Sequence, residues 1–289
     1  MRISEDGAAG AGPADMQRSA GGLAYVRHGA GAPVFVMHGG PGLDHTYLRP
    51  WLDPLGAAAE LVYYDHRGNG RSAEPDDWSQ VDIGSWADDA EALRAELGHD
   101  RVVLLGHSFG GNIALEFALR YPERVRGLIL CGASSSFQHG ELAMANAAAR
   151  GTPEQLEALA AGMGAPIRDD AAMERLWKAI VPLYFKRYDA EREAKLFGST
   201  RFSGRACTRG LQECLPGFDV TARLGEIRAP TLILTGADDY IMPPEPCART
   251  LAAIPGSRAV IFEDSGHLPF VEEPDRFVDV VRSWLAGLP

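Results

Sequence analysis

The 289-residue sequence contains no apolar run of the roughly 18–20 residues that a membrane-spanning helix needs. Residues 1–22 are rich in Gly and Ala and lack the apolar segment of a secretory signal peptide. Basic residues are also scarce, since 28 Lys and Arg stand against 39 Asp and Glu, a net charge of −11. Nucleic acids and anionic lipids attract clustered cations. The composition therefore predicts a cytoplasmic protein that binds neither nucleic acid nor a membrane, and it says nothing about the oligomeric state.

Cysteine is sparse as well. The four cysteines form no CxxC pair and have no histidine at metal-ligand spacing. We therefore expect free thiols, no metal site and no cofactor. A disulfide between Cys207 and Cys214 is the alternative, which a reducing compartment disfavours.

Short apolar runs of β type recur along the chain, and several are continuous, as in strands covered on both faces. Helical patterns separate them, for example at 85–97, 112–120 and 274–285. This alternation predicts an α/β fold with a parallel sheet and helices on both faces. The expected strands are 23–27, 34–37, 61–64, 102–105, 128–130, 231–235 and 259–262.

Residues 134–221 interrupt this rhythm with Ala-rich helical patterns and no convincing strand, so we expect a helical insertion there. The core then consists of residues 21–133 and 222–289. Residues 1–20 have no hydrophobic period and are expected to form a flexible leader. The insertion carries 11 acidic and 11 basic residues, so the acidic surplus belongs to the rest of the chain.

Gly106-His-Ser-Phe-Gly110 follows an apolar strand and precedes a helical pattern. A serine between glycines at such a junction is typical of a nucleophile elbow, where the sharp turn leaves no room for larger neighbours. Ser108 is therefore the candidate nucleophile. The alternative is a glycine-rich loop without chemistry.

His38-Gly-Gly-Pro-Gly42 follows an earlier strand, and its glycines allow backbone N–H groups to approach a reacting carbonyl oxygen. An oxyanion needs two such donors, and we expect the amides of Gly40 and Phe109 to provide them. Gly39 could replace Gly40 if the loop is turned by one residue.

A serine nucleophile needs a base, and the base needs an acid partner. His267 lies on a loop after the last expected strand and is the best base, whereas His38 and His107 are expected to orient loops. The acid should follow strand 231–235, where we favour Asp239 over Asp238. The resulting order, Ser…Asp…His, is the one found on α/β sheets of this kind.

These motifs, with Tyr64-Asp-His-Arg-Gly-Asn-Gly-Arg-Ser72 and the segments 236–244 and 266–274, resemble the α/β-hydrolase superfamily and, within it, the prolyl aminopeptidase-like family. The resemblance spans about residues 20–288. It implies a mostly parallel eight-stranded sheet with helices on both faces, and a helical cap at 134–221 over the active site. It also implies that Asp65 and Arg67 brace a loop.

Substrate is a separate question, because fold and triad do not determine it. The family's aminopeptidases usually have Trp after the nucleophile and an acid after the catalytic Asp, where this chain has Phe109 and Tyr240. Glu213 could take the place of the family's amine-binding cap glutamate. Gly39, Glu213 and Tyr240 are therefore the candidate substrate-binding residues.

The leading prediction is a serine hydrolase of small carboxylic esters, lactones or amides that works through an acyl-enzyme. A proline iminopeptidase, which releases N-terminal proline from peptides, is the main alternative. Relatives that cleave C–C bonds or use peroxide share the triad and stay open, as does a hydrolase fold kept only for ligand binding.

Overall fold

The computed structural model describes residues 15–289, and these form one eight-stranded sheet. Its strands are β1 Gln17–Arg18, β2 Ala24–Gly29, β3 Pro33–Met37, β4 Glu60–Tyr64, β5 Val102–His107, β6 Val125–Cys131, β7 Thr231–Gly236 and β8 Arg258–Phe262. They lie in the order β1-β2-β4-β3-β5-β6-β7-β8. Pairs β1–β2 and β2–β4 are antiparallel and the others parallel, which confirms the expected α/β-hydrolase sheet.

Helices accompany this sheet along the described chain. They are α1 Arg49–Leu52, α2 Ile83–Glu96, α3 Phe109–Arg120, α4 Gly140–Arg150, α5 Pro153–Gly164, α6 Asp170–Ile180, α7 Ala190–Phe197, α8 Gly204–Cys207, α9 Pro244–Leu251, α10 Pro269–Glu272 and α11 Pro274–Ala286. A π-helical turn, Thr208–Cys214, follows α8. Within residues 15–289, no helix combines the length and the apolar character needed to cross a bilayer.

Alternate side chains of each central strand enter two separate hydrophobic cores, because successive residues of a strand point to opposite faces. On β3, Phe35 packs in the core that α2 and α3 cover, whereas Val36 packs in the core that α11 covers. All residues of β5 and β7 are buried. Burial on both faces explains why these strands read as continuous apolar runs.

Helices α4 to α8 lie between β6 and β7, in the segment expected to be helical. The helical patterns of the sequence, at 141–150, 153–163, 170–180 and 189–197, agree with α4 to α7 to within about one residue, whereas no pattern predicted α8. Helix α6 begins after Asp169, whose side chain caps it by accepting a hydrogen bond from the N–H of Ala172. One isolated bridge, between Ser136 and Asp219, joins the two ends of this segment.

The start of the described chain differs from the expectation. Residues 1–14 of the predicted leader lie outside the described residues, but Gln17 and Arg18 already pair with β2. The N–H of Ala20 also donates to Glu96 on α2. A two-residue strand pairs through its backbone and carries no hydrophobic period, so the sequence pattern did not reveal it. The sheet therefore begins before residue 21.

The loop after β4 is braced by a buried carboxylate, as the family resemblance implied. Asp65 accepts hydrogen bonds from the N–H and Nδ1 of His45 and from the N–H of Arg71. Burial by itself raises the pKa of Asp65, but His45 and His38 outweigh it and hold that pKa well below its usual range. Arg67 fastens the same loop to α2 by pairing with Asp89.

Candidate active site

Ser108 occupies the turn between β5 and α3 in a strained conformation, with φ +53° and ψ −120°. It is the one non-glycine residue with positive φ among residues 15–289. A Cβ at Gly106 would lie 2.5 Å from the carbonyl oxygen of Gly110, and one at Gly110 would collide with that of Met37. The turn therefore requires both glycines, as the elbow motif predicts.

His267 and Asp239 form a buried pair at the ends of neighbouring loops. Nδ1 of His267 lies 2.7 Å from Oδ2 of Asp239. Oδ1 of the same carboxylate accepts the N–H groups of Ile241 and Met242, at 3.1 and 2.9 Å. Both carboxylate oxygens are thus held, so Asp239 fixes the orientation of the imidazole ring.

This pairing determines the tautomer of a neutral His267. A carboxylate can only accept, so Nδ1 carries the proton and Nε2 has an unshared electron pair. Nε2 is buried and forms no hydrogen bond with any residue between 15 and 289. Ser108 and His267 line one small cavity of about 20 Å³. The ring that shares this cavity with Ser108 thus carries an unprotonated nitrogen, as a general base requires.

The neighbouring acid faces the other way. Oδ2 of Asp238 lies 2.9 Å from Nζ of Lys186, and its side chain is partly exposed. The structure therefore brings Asp239, and not Asp238, to His267.

Two backbone N–H groups flank Ser108. Those of Gly40 and Phe109 form no hydrogen bond with residues 15–289, and both residues line the cavity with Ser108. Phe109 is the first residue of α3, where an N–H has no intrahelical partner. Gly40 has φ +50°, a conformation that favours glycine. These are the two N–H groups that the motifs suggested as oxyanion donors, and that role stays a prediction.

The N–H of Gly39 is not available as the expected alternative to that of Gly40. This N–H donates to the hydroxyl of Tyr47 at 2.7 Å, and both groups are buried. That amide is already satisfied and is not free to be a substitute donor, and Gly39 does not line the cavity over Ser108. Tyr47 was missed by the sequence reasoning, because it lies in the irregular loop after the glycine motif, where no pattern distinguishes it.

A partly open cavity of about 590 Å³ lies over Ser108, lined by the segment between β6 and β7, by the start of α3 and by loops that follow the sheet strands. Its lining is mostly apolar and includes Met144, Met173, Leu176, Trp177, Ile180 and Leu211. Glu141 is the one acidic side chain in this lining among residues 15–289, and it is largely exposed. Such a cavity suits an uncharged, apolar ligand.

Tyr240 lines the cavity, as expected of a substrate-binding residue. Its ring packs edge-on against Tyr184, with 5.3 Å between centroids, and burial raises the pKa of its hydroxyl well above the usual value. A neutral phenol stands where the family's aminopeptidases have an acid.

Glu213 does not lie where a substrate-binding residue was expected. It is exposed, does not line the cavity, and its Oε2 lies 2.5 Å from Nη1 of Arg209. The expectation that Glu213 binds a substrate amine was wrong. The spacing of Arg209 and Glu213, four residues apart, was a visible sign of a surface ion pair within one helical segment.

Groups for a metal do not converge here. Within the described part of the chain, no three His, Cys, Asp or Glu side chains come together as a metal site needs. All four cysteines are free, and burial raises the pKa of Cys207, which lines the cavity, to about 12.

Comparison with known families agrees with this architecture. A family model described as "alpha/beta hydrolase fold" matches residues 32–274. The chain belongs to the α/β-hydrolase family.

Individual relatives refine the classification. The chain is 30% identical to a proline iminopeptidase of Saccharolobus solfataricus, over 90% of this chain and 87% of that protein. Among solved structures it is similar to a thermophilic esterase from Thermogutta terrifontis, with 28% identity, a TM-score of 0.74, and 91% and 93% of the two chains covered. Est816, described as an N-acyl homoserine lactone degrading enzyme, matches with 25% identity, a TM-score of 0.70, and coverage of 91% and 96%. The protein is thus a hydrolase of the prolyl aminopeptidase-like type.

Proposed function

We propose that this hydrolase cleaves small, uncharged carboxylic esters, and also lactones or amides, by acyl transfer to Ser108. The observation that carries the proposal is the buried Asp239–His267 pair beside Ser108, directly under an apolar cavity. A binding protein would need the cavity but not an imidazole held in the tautomer of a base.

The first half of the reaction forms an acyl-enzyme. Oγ of Ser108 attacks the acyl carbon while Nε2 of His267 takes the hydroxyl proton, and Asp239 stabilises the resulting imidazolium. The carbonyl oxygen becomes an oxyanion, which the N–H groups of Gly40 and Phe109 stabilise; each such donor contributes roughly 10²–10³ in rate. The bond to the leaving group then breaks, and His267 gives its proton to the departing alcohol or amine.

Water completes the cycle. It attacks the acyl carbon of the Ser108 ester while His267 again takes a proton, and the same two N–H groups stabilise the second oxyanion. The bond to Oγ breaks, Ser108 regains the proton from His267, and the carboxylic acid leaves. No cofactor enters this sequence of steps.

The lining of the cavity supports an uncharged acyl group. Residues 134–221 act in this proposal as a cap that supplies Trp177, Met173 and their apolar neighbours. A free amine at the reacting end would meet the neutral Tyr240 and Phe109 and no buried carboxylate of the lining. Moving an unpaired ammonium into such surroundings is costly.

Replacement of the nucleophile tests the proposal. Ser108→Ala should lower kcat for short-chain aryl esters by roughly 10⁶, as in other serine triads. Ser283→Ala, at an exposed position on α11, is the control and should keep wild-type turnover. Ester hydrolysis by Ser108→Ala above about a tenth of the wild-type rate would remove Ser108 from the reaction. A wild-type protein that turns over no ester, lactone or amide would favour a binding role.

A proline iminopeptidase is the second candidate, because the relative from Saccharolobus solfataricus carries that name. It requires a carboxylate for the substrate's amine, and Glu141 is the acid that the cavity offers. Under this candidate, wild type should cleave proline arylamides faster than aryl esters, and Glu141→Gln should raise KM for them. Glu213→Gln, at the surface ion pair with Arg209, is the matched control. Faster cleavage of esters, with KM for the arylamide unchanged in Glu141→Gln, would exclude this candidate.

A further inference from the structure

Two buried side chains connect the loop that carries Gly40 to the loop that carries His267. The N–H of Gly39 lies 2.7 Å from the hydroxyl oxygen of Tyr47, which lies 2.7 Å from Nδ1 of His107. Nε2 of His107 in turn lies 3.1 Å from the carbonyl oxygen of His267. All groups in this hydrogen-bond series are buried.

Only one direction of hydrogen bonding satisfies every group in this hydrogen-bond series. The carbonyl oxygen of His267 can only accept, so Nε2 of His107 carries the proton. Nδ1 of His107 must then accept, and Tyr47 is its donor. The oxygen of Tyr47 accepts from Gly39, which can only donate. Burial and the neighbouring His267 lower the pKa of His107 well below its usual value, which keeps the ring neutral and this order intact.

The other polar atom of Gly39 is held as well. Its carbonyl oxygen lies 3.0 Å from Nδ1 of His38. That carbonyl belongs to the same peptide group as the N–H of Gly40, and in a planar trans peptide the two point in opposite directions. The contact with His38 therefore sets the direction of the N–H that Gly40 presents beside Ser108. The hydroxyl of Tyr47 holds the adjoining peptide group, which carries the N–H of Gly39.

We propose that Tyr47 and His107 are positioning residues that hold the Gly40 N–H donor and His267 in register around Ser108. The inference rests on the proposed function, since it assigns the two side chains to the same acyl transfer. Both line the small cavity that Ser108 and His267 share, but among residues 15–289 neither forms a hydrogen bond with the side chain of Ser108 or of His267. Their effect is geometric, because a misplacement of about 1 Å in a catalytic group can cost on the order of 10²-fold in rate.

A buried tyrosine hydroxyl does not by itself require such a hydrogen-bond series in this protein. The hydroxyl of Tyr64, on β4, is equally buried and has no hydrogen-bond partner among residues 15–289. Tyr47 also packs against the rings of Phe197 and Phe270, contacts that a phenylalanine would keep. Removing the two hydroxyls thus separates hydrogen bonding from packing.

The test compares Tyr47→Phe with Tyr64→Phe, using a series of aryl esters and an alkylboronic acid as a tetrahedral transition-state analogue. Tyr47→Phe should lower kcat by about 10- to 100-fold, leave KM within about twofold, and weaken the boronic acid by the same factor as kcat/KM. Tyr64→Phe should keep wild-type values of all three. If Tyr47 had a purely structural role, the affinity for the boronic acid would not change in proportion to kcat/KM.

Either of two results would overturn the inference: a kcat for Tyr47→Phe within about twofold of wild type, or the same kcat loss in both variants. Absence of ester turnover in wild type would instead defeat the proposed function, so the two failures are distinct. Should Tyr47→Phe not fold, ¹⁵N spectra of the wild-type imidazoles decide. A His107 ring protonated on Nε2 supports the hydrogen-bond series, and a ring protonated on Nδ1 contradicts it.

Discussion

Asp239 and His267 are joined by a 2.7 Å hydrogen bond between Oδ2 and Nδ1, while the adjacent Asp238 faces Lys186 at the surface. Two neighbouring carboxylates thus have different partners. Asp239→Asn should lower kcat for esters by about 10⁴, because the amide favours the wrong tautomer of His267. Asp238→Asn should remain within about twofold of wild type, since exposed ion pairs contribute little. Comparable losses in both variants, measured as kcat on one ester, would contradict the assignment of Asp239.

The strain at Ser108 predicts a gain in stability when activity is removed. Its φ of +53° with ψ −120° costs a non-glycine residue on the order of 1–3 kcal/mol. Ser108→Gly relieves that strain, whereas Ser108→Ala retains it. Even after the larger conformational entropy of glycine in the unfolded chain, Ser108→Gly should exceed Ser108→Ala by about 1 kcal/mol in free energy of unfolding. Urea titration of the two inactive variants provides the comparison, and an alanine variant as stable as the glycine variant would refute the strain.

Acid should destabilise the fold in a defined range. Burial lowers the pKa of His38, His66 and His107, and it does so strongly for the last two. The unfolded chain takes up protons near pH 6.5 where the folded protein does not, so stability is complete above that pH and is lost below it. The loss is up to about 1.4 kcal/mol per pH unit for each histidine.

Urea unfolding at pH 7.5, 6.5 and 5.5 measures this slope. Replacement of one such ring, His66→Gln, should make the slope shallower by about one proton. A free energy of unfolding that stays constant from pH 7.5 to 5.5 would show that these rings take up protons equally in both states.

The volume of the cavity predicts a preference for acyl length. Ala143 is buried on α4 and lines the cavity, whereas Ala145, two residues along the same helix, is exposed. Ala143→Phe should fill space that a long acyl chain uses and lower kcat/KM for octanoate esters at least about tenfold, with little change for acetate. Ala145→Phe should change neither. Equal losses for both esters in Ala143→Phe would argue against acyl binding at this position.

The sequence was sufficient for the elements that local patterns specify. Gly106 to Gly110 marks the elbow because sterics allow little else there, and the continuous apolar run of β7 reflects burial on both faces. The prediction of Asp239 over Asp238 agrees with the geometry, because β7 and the turn after it determine which of the two side chains faces His267.

Relationships between distant loops were not accessible in this way. Tyr47 meets His107 across 60 residues, and nothing in the loop around Tyr47 has a period that would reveal the contact. The expectation for Glu213 came from the family resemblance, whereas its spacing of four residues from Arg209 favours the ion pair that the structure shows. The cap boundaries at 134–221 and the cytoplasmic location stay predictions.

The central claim is that Ser108 becomes acylated. Incubation of the wild-type protein with a fluorophosphonate, followed by intact-mass measurement and peptide mapping, tests it most directly. We predict one adduct, carried by the peptide that contains Ser108, with loss of ester hydrolysis in proportion to labelling and no adduct on Ser108→Ala. Modification of another residue, or full hydrolysis by a protein labelled on Ser108, would contradict the account.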